Sequence, residues 1–131
     1  MKTLEDLRGK DLILCTPFGA ANSAAIEKMI ADGDLVRVRP SKWEGCFKML
    51  ATGRVNVVGQ PEVTGYWNIK KSGVDRNIFK SVILEPNSIE LHLVISKIKP
   101  GAIQLIQRFN LGLTKIKENG TYSRIFSEFL D

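Results

Sequence analysis

Two short loops contain the residues best suited to binding chemistry. The first, residues 16–23, follows an apolar segment and ends in the polar pair Asn22 and Ser23. Gly19, Ala20 and Ala21 have little or no side chain, so their backbone amides can approach an anion at the start of the following helix. An ordinary strand-to-helix connection with a polar cap explains the same residues, and the sequence leaves both interpretations open.

The second loop, residues 59–62, carries Gln60 and Glu62 after another apolar segment. These side chains suit a cationic or hydrogen-bonding group. The alternative is a solvated loop with an acid in the first helical turn, where the helix dipole favours it. The predicted ligand-binding residues are Phe18, Gly19, Ala20, Ala21, Asn22, Gln60 and Glu62.

Catalytic and metal-binding patterns are not found in the sequence. Ser23 has no associated histidine pattern, and the single histidine, His92, stands between two leucines, which is typical of a strand position. Cys15 and Cys46 lack metal-ligand spacing. We therefore predict no enzyme activity, no bound metal and no cofactor. The apolar surroundings of the two cysteines favour buried free thiols, and a disulfide between them remains open.

The elements that must position the loops follow from apolar periodicity. Strands are predicted at residues 11–15, 35–38 and 55–58, each followed by a helix. The second of these helices is predicted to open with a capping box formed by Ser41 and Glu44. Continuous apolar strands alternating with helices predict an α/β fold, a three-layer α/β/α arrangement with a mostly parallel sheet.

The pattern changes in the last third of the chain. Two further strands are predicted at residues 79–84 and 89–96, separated by a break at residues 85–88. A long helix is predicted to begin at residues 100–101 and end at Gly120, followed by a short final helix.

Composition limits the classes of function. The 131 residues are 44% hydrophobic and 25% charged, as in a soluble globular domain. The net charge is +5, but the basic residues are dispersed among acids, so we expect no nucleic-acid partner. No segment is apolar enough for a secretory signal or a membrane span.

Three segments together resemble family-3 extracellular solute-binding proteins of bacteria, the amino-acid-binding type that serves ABC transporters. Residues 3–10, Thr-Leu-Glu-Asp-Leu-Arg-Gly-Lys, resemble the entry into the second lobe of that family. Residues 49–58, Met-Leu-Ala-Thr-Gly-Arg-Val-Asn-Val-Val, resemble its glycine-arginine-valine-aspartate signature. Residues 109–125 are similar to its terminal helix, glycine-threonine-tyrosine turn and closing helix.

This resemblance implies a type II periplasmic-binding-protein-like lobe. Residues 1–85 would be the second lobe, and residues 86–131 the hinge and a C-terminal segment returning to an absent first lobe. The implied function is binding a small polar solute, an amino acid or related carboxylate, for import through an ABC permease. The implied location is periplasmic, although the chain shows no signal peptide.

The sequence departs from the family's pattern at three positions. Gly19 and Ala20 match the glycine and hydroxyl residue that hold a ligand carboxylate, so alanine leaves only backbone donation there. The family's ammonium-binding acid aligns at Pro61. Either Glu62 replaces that acid, or the ligand is not an ordinary α-amino acid. Asn56 stands where the signature has aspartate.

Two other functions fit the same architecture. One is a ligand-sensing extracytoplasmic domain of a signalling receptor, and the other is an enzyme on the same fold. The apolar stripe of the long C-terminal helix also predicts self-association, as a homodimer formed through that helix.

Overall fold

A computed structural model describes residues 3–84 and 91–130. By its internal contacts the chain forms two compact units, Met1–Pro86 and Asn87–Asp131. Each unit is described by itself below. The loops with candidate binding residues belong to the first unit.

Three parallel strands form the sheet of the first unit. They are β1 (Leu12–Cys15), β2 (Leu35–Val38) and β3 (Val57–Val58), in the order β2-β1-β3. Leu12 pairs with Leu35, and Leu14 pairs with Val57. The predicted α/β fold with a parallel sheet is thus confirmed.

The third strand is shorter than the predicted residues 55–58, because Asn56 pairs with β1 partly through its side chain. The Asn56 amide donates to the Ile13 carbonyl at 2.9 Å, and the Ile13 amide donates to Asn56 Oδ1 at 2.9 Å. The side-chain oxygen therefore accepts a bond that a backbone carbonyl accepts in a regular ladder.

Three helices alternate with the strands: α1 (Ala24–Ala31), α2 (Trp43–Ala51) and α3 (Glu62–Ser72). Ser23 caps α1, with its hydroxyl accepting from the Ile26 amide at 3.4 Å. The predicted capping box at α2 is wrong. The N-cap is Lys42, without a side-chain cap bond. The chain is still extended at Lys42, and the carbonyl of the preceding Pro40 accepts from the Phe18 amide, so the helix begins later than predicted.

Helices cover both faces of the sheet. On one face, buried Leu7, Met29 and Leu35 form a cluster to which α1 contributes Met29. On the other, Cys15, Cys46 and Val55 form a cluster to which α2 contributes Cys46. Helix α3 packs against α2. In β1, Leu12 packs against the first cluster, whereas Ile13 and Cys15 belong to the second, as expected for side chains that alternate between the faces of a sheet.

Cys15 and Cys46 form a disulfide across the second of these clusters, with Cα atoms 5.5 Å apart. The prediction of two free thiols is therefore wrong. The cysteines are separated by 31 positions in the sequence. They meet only because β1 and α2 pack together.

The predicted strand at residues 79–84 is not formed. After α3, a single 3-10 turn (Arg76–Ile78) leads into an irregular segment. Phe79 packs edge-on against Phe47 with ring centroids 5.9 Å apart, and Leu84 packs on the α1-face cluster. Phe79 and Leu84 thus pack onto existing elements, whereas Val82 and Ile83 are exposed.

The second unit contains α4 (Ala102–Glu118) and α5 (Thr121–Leu130), which contact each other and confirm the two predicted helices. Gly101 and Gly120 precede these helices, each with φ of 76°. The predicted strand at residues 89–96 is wrong for residues 91–96, which are irregular, and residues 89–90 lie outside the described residues. Leu91 is 92% exposed.

Within the described residues, none of the helices is both long and apolar enough to cross a membrane.

Candidate functional site

An open cleft of about 550 Å³ lies at the carboxyl edge of β1 and β2. Its walls are the loop after β1, the start of α2 and one side of α3. In parallel sheets this edge is where ligands bind, because loops and helix N-termini converge there. The lining residues are Pro17, Phe18, Gly19, Ala20, Ser41, Lys42, Trp43, Glu44, Asn68 and Lys71.

The loop wall is held by bonds that extend the pairing of β1 with β2. The amide of Thr16 donates to the Val38 carbonyl at 3.0 Å, and that of Phe18 donates to the Pro40 carbonyl at 3.0 Å. The chain then turns at Gly19, whose φ of 78° favours glycine. These bonds place residues 17–20 beside the start of α2.

Of the three backbone amides predicted to meet an anion, those of Gly19, Ala20 and Ala21, two remain unbonded. Among the described residues, no acceptor is bonded to the amides of Gly19 and Ala21, whereas the Ala20 amide donates to the Pro17 carbonyl at 3.2 Å. Backbone donation from Gly19 and Ala21 therefore stays a prediction, and Ala20 contributes to the cleft wall through its small side chain.

Asn22 bonds to other loop and helix residues and does not line the cleft. Its Oδ1 accepts from the Thr16 hydroxyl at 2.9 Å, and its Nδ2 donates to Glu27 Oε1 at 2.8 Å. Thr16 is fully buried. Asn22 thus joins the two ends of the loop that forms the cleft wall.

Glu27 continues this chain of polar contacts to β2. Arg37 Nη1 donates to both carboxylate oxygens of Glu27, at 2.7 and 2.9 Å. The hydrogen bond from Asn22, followed by the bond and charge of Arg37, lowers the pKa of the Glu27 carboxyl below its ordinary value.

The second predicted loop lies outside the cleft. Glu62 is exposed in the first turn of α3 and does not line the cleft. Gln60 contacts a lining residue, because its Oε1 accepts from Asn68 Nδ2 at 3.1 Å. The structure thus brings Phe18, Gly19 and Ala20 into the cleft, and leaves Ala21, Asn22, Gln60 and Glu62 outside its lining.

Sequence reasoning missed the lining contributed by α2 and α3. Residues 41–44 follow the second predicted strand, so the rule that ligands lie at the carboxyl ends of parallel strands was sufficient to include them. Asn68 and Lys71 had no such signal, because their place in the lining depends on how α3 packs against α2.

Charged and aromatic side chains give the cleft its chemical character. Phe18 is 70% exposed, and the Arg39 guanidinium carbon lies 5.9 Å from the centre of its ring. Lys71 Nζ lies 5.6 Å from the centre of the Trp67 ring. Lys42 and Glu44 complete the charged lining. Such a surface suits a small polar solute that also has an apolar part.

The described residues contain no group of three or more histidine, cysteine or acidic side chains arranged to hold a metal ion.

Comparison of the chain with protein-family models, with curated proteins and with solved structures gives no match. Its function is therefore inferred from the chemistry of the cleft.

Proposed function

We propose that this protein binds a small polar solute, such as an amino acid or a related carboxylate, for import through an ABC-type permease. The proposal rests mainly on the cleft at the carboxyl edge of the sheet, where the unbonded Gly19 amide and the side chains of Lys42 and Lys71 occur together. A cleft of about 550 Å³ has the volume of a small-molecule site. Backbone amides and lysine side chains are sufficient to bind such a solute without catalysis.

The type II periplasmic-binding-protein-like lobe belongs to this proposal. The parallel sheet with helices on both faces is compatible with it. Further support comes from the resemblance of residues 3–10, 49–58 and 109–125 to solute-binding proteins. The residue at the position of the signature aspartate, Asn56, bonds to Ile13 of β1, so the substitution retains an oxygen acceptor there.

A periplasmic location is the second part of the proposal. The Cys15–Cys46 disulfide supports it, because disulfides persist in oxidising compartments and are rare in the cytosol. Both cysteines are fully buried.

Thermal unfolding of the chain with a panel of amino acids, small carboxylates, polyamines and sugars tests the proposal. A ligand at one hundred times its dissociation constant adds about 2.7 kcal/mol of stability. We expect a reproducible increase in Tm with amino acids or carboxylates. No increase with any compound would contradict the proposal.

Two matched variants show whether binding occurs in the cleft. Ala20→Trp adds a bulky side chain to the cleft wall, whereas Ala25→Trp adds the same side chain to an exposed position of α1 outside the lining. We expect the ligand-induced increase in Tm to disappear only in the first variant. An unchanged increase in Ala20→Trp would place the binding site elsewhere.

A further inference from the structure

Three charged side chains line the cleft: Lys42, Lys71 and Glu44. Two carry an ammonium and one a carboxylate, and no other charged residue belongs to the lining. A solute in the cleft therefore faces two positive groups and one negative group.

These three groups form no ion pair with any residue that the structure describes. Elsewhere in the first unit several charges are paired: Arg37 bonds to Glu27, Arg8 contacts Asp34, and Lys28 lies 2.8 Å from Asp32. The charges of the cleft are thus available to an external ligand. An unpaired charge that loses water when a ligand binds is destabilising unless the ligand supplies its counter-charge.

From this charge pattern we infer that the solute is an acidic amino acid, with two carboxylates and one ammonium. Its carboxylates complement Lys42 and Lys71, and its ammonium complements Glu44. This inference rests on the proposed function and specifies the ligand class of the same cleft.

Related solutes each leave one group of the cleft without a partner. A neutral amino acid has a single carboxylate for two lysines, and a dicarboxylate without an amine has no ammonium for Glu44. A basic amino acid brings a second ammonium next to two lysines, where like charges repel. Phe18 and Trp43, both in the lining, provide apolar surface for the carbon chain of the solute.

Isothermal titration of the whole chain with four probes tests the inference: L-glutamate, L-glutamine, glutarate and L-lysine. We expect L-glutamate to bind about three- to fivefold more tightly than L-glutamine or glutarate, the upper part of the range for one solvent-accessible ion pair. L-Lysine should bind most weakly. The preference for L-glutamate should decrease with added salt, because salt screens exposed charges.

Paired substitutions assign the preference to individual side chains. Lys71→Gln should abolish the preference for L-glutamate over L-glutamine, whereas Lys70→Gln, at the adjacent exposed position outside the lining, should retain it. Glu44→Gln should abolish the preference for L-glutamate over glutarate. Glu118→Gln is its control, because Glu118 is exposed and outside the lining.

The outcomes separate this inference from the proposed function. Equal binding of L-glutamate and L-glutamine, or tighter binding of L-lysine or of a solute outside the four, overturns the inference and leaves solute binding intact. Loss of the preference in Lys70→Gln as much as in Lys71→Gln also overturns it. Absence of binding by every compound of the wider panel overturns both.

Discussion

The two faces of the sheet are stabilised in different ways. On the α1 face, the three buried residues of the cluster are Leu7, Met29 and Leu35, all with large aliphatic side chains. On the α2 face, two of the three are Cys15 and Cys46, joined by the disulfide. The α1 face therefore depends on apolar packing alone, whereas the α2 face combines apolar packing with a covalent cross-link.

This difference matters because the loop that forms the cleft wall is held on both faces. Its start follows Cys15, which is linked to the helix that forms the opposite wall. Its end, at Asn22, is held on the α1 side through Glu27. The disulfide thus joins the two walls of the cleft, and hydrogen bonds hold the loop from the other side.

The largest effect is expected from removing the cross-link. Replacing both cysteines, Cys15→Ala with Cys46→Ala, should lower the free energy of unfolding by about 4 kcal/mol, from the unfolded-chain entropy of a loop with a sequence separation of 31 residues. Urea denaturation measures this loss. A reducing agent should destabilise the wild type and leave the double variant unchanged. Equal stability of wild type and double variant would contradict the assigned role of the disulfide.

Core packing on the α1 face should give the next largest effect. Met29, 1% exposed, is one of the three buried residues of the cluster, and Met29→Ala should lower the free energy of unfolding by about 3 kcal/mol through lost burial and a residual cavity. Val36→Ala is the control, because Val36 lies on β2 but is 59% exposed. Denaturation curves of the two variants compare them directly. A loss below 1 kcal/mol in Met29→Ala would mean that this cluster contributes little.

The hydrogen bonds that hold the loop should contribute less to the free energy of unfolding than either of the two buried clusters. Asn22→Ala removes the acceptor of the buried Thr16 hydroxyl, which should cost about 1–2 kcal/mol. A double-mutant cycle with Thr16→Val isolates this contact, since the second substitution removes the hydroxyl itself. If the changes in the free energy of unfolding of the two single variants add up to that of the double variant, the contact does not stabilise the loop.

The smallest effect concerns acid stability. Because the folded-state pKa of Glu27 lies below its ordinary value of 4.5, the contribution of its carboxylate is complete above that pH. It is lost as the pH falls through the lower folded-state pKa. Glu27→Gln should therefore lose less stability than the wild type as the pH falls below 4.5, as measured by Tm. Arg37→Gln removes one cause of the lowered Glu27 pKa, so this variant should also lose less stability than the wild type at acid pH. If Tm falls equally with decreasing pH in the wild type, Glu27→Gln and Arg37→Gln, this prediction is contradicted.

The sequence predicted best those elements whose formation depends on local signals. The predicted bounds of β1 and β2 agree with the structure to within one residue, because short apolar stretches bounded by polar residues and glycine are typical of buried parallel strands. Helix α4 was predicted because its apolar residues recur at helical spacing, with Gly101 and Gly120 at its ends. Of the cleft, the sequence indicated Phe18, Gly19 and Ala20, which directly follow β1.

Only the tertiary structure decided which distant residues meet. Residues 79–84 have the composition of a strand, but in the structure Phe79 contacts Phe47 and Leu84 packs on the α1-face cluster. Cys15 and Cys46 form a disulfide, and Lys71 enters the cleft, because α2 packs on the sheet and α3 packs on α2. Periodicity and capping act over a few residues and are readable along the chain, whereas pairing across 31 positions depends on the packing of whole elements.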